Sequence, residues 1–307
     1  MLTFETAKRL ILVPCLLSVS LLLACSGGSE SGAGEDVAST DMLEGRGQHT
    51  ATLLSDGRLL VAGGRAELSL SSSEIYDPVP SEDPEIGHWT ASGQMGEERL
   101  DHTAITLGNG LVLVVGGDKT GHGRYRAPAS LTTAELYDPA NGSWSSTGST
   151  LHQHGGGHSA TLLQNGKVLL AGGLFEELST SDSARAGSPY SELYDPATGT
   201  WTQTGDLSQG RAKHKSVLLE DGNVLLMGSK STEMYSVKSG TWSKAKDMPN
   251  DHGVQFTATR LHNGSVLVIG GGIVTTVSGV ETSAPAAVTH VDMYDPSTGN
   301  WSSVSNL

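Results

Sequence analysis

One sequence phrase recurs five times along this chain, and it constrains the fold more than any other feature. Its third copy, His158 to Trp201, reads HSATLLQNGKVLLAGG, an irregular loop, then SELYDPATGTW. Ser159 to Leu163 and Lys167 to Ala171 are β-favouring runs separated by Asn165-Gly166, a strong hairpin signal. Gly172-Gly173 ends the second run where the chain must leave a sheet. Ser191 to Tyr194 begins a third strand, Asp195 to Gly199 has turn chemistry, and Trp201 opens a fourth strand. The same hairpin signal falls at Asp56-Gly57, Asn109-Gly110, Asp221-Gly222 and Asn263-Gly264. Trp89, Trp144, Trp201, Trp242 and Trp301 are all the tryptophans in the chain. A four-stranded repeat of roughly 50 residues predicts the blades of a β-propeller, because one blade cannot bury its two faces alone.

The double glycines (Gly63-Gly64, Gly116-Gly117, Gly172-Gly173, Gly270-Gly271), the Tyr-Asp-Pro triplets and the spaced tryptophans resemble kelch repeats. The resemblance covers nearly everything after residue 36. It implies an all-β propeller of five four-stranded kelch-like blades at about 47–94, 101–149, 157–206, 213–248 and 255–307. For function it implies little, because kelch propellers include both enzymes and binding scaffolds.

The first 24 residues read as a lipoprotein signal peptide. Lys8 and Arg9 precede an apolar stretch from Leu10 to Ala24, short for a membrane span and suited to a signal core. The stretch ends Leu22-Leu23-Ala24-Cys25, which resembles the bacterial lipobox and implies a lipid on Cys25. Residues 25–35 then form a flexible tether, of which Ser26 to Glu35 span roughly 17 Å. The expected location is the cell envelope, with the outer membrane as the address in a Gram-negative cell. The formal net charge of −14 argues against nucleic acid, and the membrane is expected to be met through the lipid alone. With Cys15 lost in the signal, no internal disulfide or thiol nucleophile remains, and no cofactor is implied.

In each blade the first hairpin turn and the turn between third and fourth strands belong to one face of the disc. The loops between second and third strands, and the crossovers between blades, belong to the other. Those loops are long at Asp118 to Thr132, Leu174 to Pro189 and Gly272 to Thr289, and nearly absent at Gly228 to Ser231. Loops held by a rigid scaffold usually carry binding, so this loop face is the expected functional surface. The candidate ligand contacts are His122, Arg124, Tyr125 and Arg126 in GHGRYRAP, His152 and His154 in the crossover into blade 3, and Arg99 in the crossover into blade 2. Arginine, tyrosine and histidine in an acidic chain suit a carboxylate, sulfate or acidic sugar.

The repeated His49, His102, His158 and His214 open the first strands, with Phe256 in their place in blade 5; they are read as structural rather than as a metal ring. No catalytic constellation stands at an interpretable spacing. The sequence thus predicts a surface-anchored binding module for a protein or glycan ligand. The alternative is a sugar mutarotase-like enzyme with its site at the channel mouth. The ring is expected to close by packing blade 1 on blade 5, with 301–307 as the outer strand of blade 5 and 36–42 outside that strand or unpaired.

Overall fold

The computed structural model describes residues 39–78, 87–120, 129–175, 186–273, 276–277, 280–281 and 286–304. It contains five antiparallel four-stranded sheets, one for each copy of the phrase. Blade 1 is Thr50–Leu53, Leu59–Ala62, Ser73–Asp77 and His88–Ala91. Blade 2 is Thr103–Thr106, Val112–Val115, Ala134–Asp138 and Ser143–Ser146. Blade 3 is Ser159–Leu162, Val168–Ala171, Ser191–Asp195 and Thr200–Gln203. Blade 4 is Lys215–Leu218, Val224–Met227, Thr232–Ser236 and Thr241–Lys244. Blade 5 is Thr257–Arg260, Val266–Ile269, Val291–Asp295 and Asn300–Ser303.

The turn chemistry acts as the sequence suggests. The side-chain oxygens of Asp56, Asn109, Asn165, Asp221 and Asn263 each accept the amide two residues on, at 2.9–3.1 Å. Asp138, Asp195 and Asp295 do the same at the second turn. These aspartates are turn formers. The double glycines adopt positive φ, 66° at Gly172 and 101° at Gly173, a region L-residues avoid. They also give way to the next blade: a Cβ on Gly172 would lie 2.6 Å from the Arg211 carbonyl oxygen.

First strands of consecutive blades lie against one another, from blade 1 to blade 5, so they line the axis and the tryptophan strands form the rim. The second strands of blades 2, 3 and 4 are buried on both sides and carry the inter-blade cores. Residues of one blade meet those of the next, as Leu113 and Val115 of blade 2 meet Val168 and Leu170 of blade 3. Each tryptophan tilts against its blade's tyrosine at 5.0–5.1 Å between ring centroids. The tyrosine hydroxyls of blades 2, 3 and 4 reach a hydroxyl of the preceding blade, as Tyr194 reaches Thr147 at 2.7 Å.

Trp301 lies in the outer strand of blade 5, as expected. The N-terminal segment behaves differently from expectation. Ser39 pairs with Trp89 through two backbone hydrogen bonds, so the segment joins the rim of blade 1 and not that of blade 5. Among the described residues no hydrogen bond, ion pair or apolar cluster joins blade 5 to blade 1, so the expected closure of the ring is not seen.

Candidate functional site

The inner ends of the blades are held by two sets of polar contacts that repeat around the axis. The first lies between neighbours. His102 Nε2 is 2.9 Å from Thr50 Oγ1, His158 Nε2 is 2.9 Å from Thr103 Oγ1, and His214 Nε2 is 3.0 Å from Ser159 Oγ. His158 Nδ1 faces the Gly155 carbonyl at 2.8 Å, and a carbonyl only accepts, so Nδ1 carries the proton and Nε2 accepts from Thr103. Burial is the main cause that pushes these imidazoles down, His158 to about 4 and His214 to about 3. The histidines therefore hold the seams as neutral rings, each turned to a hydroxyl. Among the described residues no group of three or more metal-ligating side chains converges. At the fourth seam both partners are changed together, with Lys215 in the hydroxyl position and Phe256 in the histidine position.

The second set pins each crossover to the third strand of the blade it enters. The carboxylates are Glu74, Glu135, Glu192, Glu233 and Asp292, all buried. Glu135 accepts the Gly96 and Glu97 amides and pairs with Arg99 Nη2 at 2.8 Å. Glu74 accepts the Leu43 and Glu44 amides and pairs with Arg46, and Glu233 accepts the Ser208 amide and pairs with Arg211, both pairs at 2.6 Å. In blade 3 the cation is replaced by His154, whose Nδ1 faces the Gly172 carbonyl at 2.7 Å and whose Nε2 faces Glu192 at 3.3 Å. Burial alone would raise the Glu192 carboxyl, but the bonds from His154 and from the Leu151 and His152 amides outweigh it and hold the carboxyl low.

This geometry corrects two of the expected ligand contacts. Arg99 and His154 are fully buried and committed to Glu135 and Glu192, so neither side chain meets a ligand on the loop face. His152 is placed differently. Its ring stacks on Tyr190 at 3.7 Å, Phe175 meets Tyr190 edge-on at 6.2 Å between ring centroids, and all three remain partly exposed. His122, Arg124, Tyr125, Arg126 and Cys25 lie outside the described residues.

Sequence reasoning missed the ring of residues at the channel mouth. The second residue before each inner strand is left-handed: Gln48 (φ 56°), Asp101 (51°), Gly157 (83°), Lys213 (59°) and Gln255 (62°). Neighbours in this ring are bonded through the backbone, Asp101 to Gln48 and Lys213 to Gly157. Glycine is the inexpensive choice at positive φ, and the other four side chains are kept at a cost of about 1 kcal/mol or more each. All four are exposed. Strain retained at four equivalent positions marks the mouth as a candidate site.

Beside that mouth lies a depression whose origin is legible in the chain. The long loops of blades 2, 3 and 5 leave the disc as two-stranded ribbons, Asp118–Lys119 with Ala129–Ser130, Leu174–Phe175 with Ala186–Gly187, and Gly272–Ile273 with Ala286–Ala287. Blade 4 has no ribbon; Gly228 bonds directly to Ser231. The missing loop leaves a cavity of about 360 Å³ lined by residues 209–213, Gly228, Ser229, Ser231, Gly187, Gly253 and Val254. That volume falls in the range of ligand sites, about 300–1,000 Å³. Its charge comes from Arg211, which also reaches Ser231 Oγ at 3.1 Å, and from Lys213. Lys213 forms no ion pair among the described residues. In a chain of net charge −14 this is a cationic recess.

Comparison with protein-family models finds no match. Among curated proteins the chain is similar to alpha-scruin of Limulus polyphemus, 31% identical over 166 residues, which is 52% of this chain and 16% of the relative. It is also similar to beta-scruin of the same organism, 30% identical over 104 residues, 34% of this chain and 11% of the relative. The chain thus spans only a small part of the curated relatives it matches. Among solved structures it resembles a fungal alcohol oxidase of the AA5 family in complex with copper, with a TM-score of 0.63 and 19% identity over 85% of this chain and 53% of that one. It also resembles the structure of YjhT, with a TM-score of 0.66 and 16% identity over 88% of this chain and 87% of that one. At these identities the structural likeness establishes the fold alone. With the repeated phrase, the five four-stranded sheets and these neighbours together, the chain is a kelch-repeat β-propeller.

Proposed function

We propose that this propeller is a binding module, tethered to a cell envelope through Cys25, that takes an anionic group of a protein or glycan ligand on its loop face. The observation that carries the reading is the cationic recess over blade 4, open because one loop is missing and bordered by the strained ring at the channel mouth. Arg211 is held rigid by Glu233, and Lys213 stands beside it without an acidic partner among the described residues. A fixed guanidinium next to an exposed ammonium suits a carboxylate or sulfate, whose charge-assisted hydrogen bonds are the stronger kind. The partly exposed His152, Tyr190 and Phe175 supply a flat surface for a sugar ring or an apolar side chain on the same face. The enzyme alternative gains nothing here, because Arg99, which it would place at the channel mouth, is buried against Glu135.

The test is a protein and glycan array probed with residues 36–307, followed by Lys213→Gly. Glycine relaxes the left-handed backbone, so the fold is kept while the cation is lost. Binding to the recovered ligand is expected to fall about tenfold, the loss of one charge-assisted contact. Undiminished binding by the variant would overturn the placement of the site.

A further inference from the structure

The four internal seams of the propeller share one apolar packing pattern, and three of them share one polar pattern; among the described residues the fifth seam shows neither. In the internal seams the second and fourth residues of one blade's second strand pack onto the first and third of the next, as Leu60 and Ala62 do onto Val112 and Val114. Leu267 and Ile269, the same positions in blade 5, are partly exposed and belong to no apolar cluster. Across the gap, Tyr76 of blade 1 is partly exposed, whereas its four counterparts in blades 2 to 5 are buried.

Polar contacts tell the same story. The amides of Gly64, Gly117 and Gly173 donate to the carbonyls of Arg99, His154 and Arg211 in the following crossover, at 2.8–2.9 Å. Among the described residues the equivalent Gly271 amide has no such bond to another blade. A Cβ on Gly63, Gly116 or Gly172 would strike that following crossover at 2.4–2.6 Å, whereas one on Gly270 would meet only Val288 of its own blade, at 3.9 Å. Thr257 restores the hydroxyl that blade 4 lacks and is exposed, while among the described residues His49 at the other side of the gap meets no hydroxyl of a neighbouring blade. Direct closure would set His49 on Thr257 and the Arg46 carbonyl on the Gly271 amide, and neither contact is made.

We infer that the face between blades 5 and 1 receives one further four-stranded blade of the same repeat. Such a blade enters with an arginine or histidine three or four residues before a ring histidine. Its crossover carbonyl takes the Gly271 amide, its imidazole takes the Thr257 hydroxyl, and its second strand covers Leu267 and Ile269. Its own first-strand hydroxyl meets His49. The occupant is specified by continuity: it makes at both edges the contacts that the internal seams already make.

The experiment appends a second copy of residues 95–149, which carry Arg99, His102, Tyr137 and Trp144, after Leu307. Amide exchange at Gly271 should slow by about tenfold or more, and the thermal midpoint should rise by several degrees. Thr257→Val in the fused chain should return part of that gain. In the unfused chain Leu267→Lys should leave the midpoint within about a degree, since Leu267 is partly exposed and belongs to no inter-blade apolar cluster among the described residues. Unchanged exchange in the fused chain would overturn the inference. So would a Gly271 amide already protected in the unfused monomer, which means the ring closes on itself. Protection that grows with protein concentration would assign the face to a second copy and overturn it equally.

Discussion

Lowering the pH from 7 to 5 should strip this fold of a large part of its stability, through the seam histidines. His158 and His214 are buried, and their folded values of about 4 and about 3 stand against an ordinary value of 6.5. The unfolded chain binds protons at these rings below 6.5, while the folded chain does not until far lower pH. Their contribution is therefore fully present above pH 6.5 and is lost as the pH falls towards 4 and 3. At pH 5 each ring costs about 2 kcal/mol, from about 1.4 kcal/mol for each unit below 6.5. The pair costs about 4 kcal/mol, set against a total stability of about 5–15 kcal/mol for a typical domain. His102, also lowered chiefly by burial, adds to the loss. The carboxyls of Glu192, Asp195 and Asp295 are held below their ordinary values and lose their contribution only at lower pH, so the window from 7 to 5 isolates the imidazoles. Urea denaturation at pH 7 and pH 5 measures the difference. His158→Gln keeps a neutral polar side chain at the seam and should shrink the pH effect by about 2 kcal/mol. An identical pH dependence in the variant would refute the reasoning.

Glu135→Ala leaves the Arg99 guanidinium buried without its carboxylate and the Gly96 and Glu97 amides without an acceptor. It should cost about 3–5 kcal/mol, read as a lowered urea midpoint. Tyr235→Phe deletes a 2.7 Å bond to Thr204 between blades 3 and 4 while keeping the ring against Trp242. It should cost about 1 kcal/mol by the same assay. Cys25→Ser should release the protein from membrane fractions and abolish labelling by an alkyne fatty acid; acyl label persisting in that variant would refute the anchor.

The strands and turns were legible because each has a local chemical cause. Asn165-Gly166 makes its hairpin with its own side chain, and Asp195 makes its turn in the same way, so neighbouring residues suffice to specify them. The missing loop of blade 4 was also legible, as the short run Gly228 to Ser231, although the recess it opens depends on the ribbon of blade 3 and the crossover into blade 5. Arg99 and His154 were misjudged for a different reason. Their partners stand 36 and 38 residues away in sequence, and a cation in a loop reads as exposed until its carboxylate is known. A signal was present: an acidic residue at the second position of every third strand, matched by an arginine or histidine before every inner strand. The left-handed ring at the channel mouth left no such trace, because Gln48, Asp101, Lys213 and Gln255 share no residue type. Their backbone is set by the turn each crossover makes into an inner strand. The rim pairing of Ser39 with Trp89 was likewise hidden, since a segment of outer-strand character fits more than one edge.

The central claim is that the loop face, centred on the recess over blade 4, is the binding surface. Hydrogen–deuterium exchange of residues 36–307, with and without the ligand recovered from the array, tests it most directly. The account predicts slowed exchange in residues 209–213, 228–231 and 253–255, and none in the hairpin turns at 56–58, 109–111, 165–167 and 221–223. Protection confined to those turns would put the ligand on the opposite face and contradict the account.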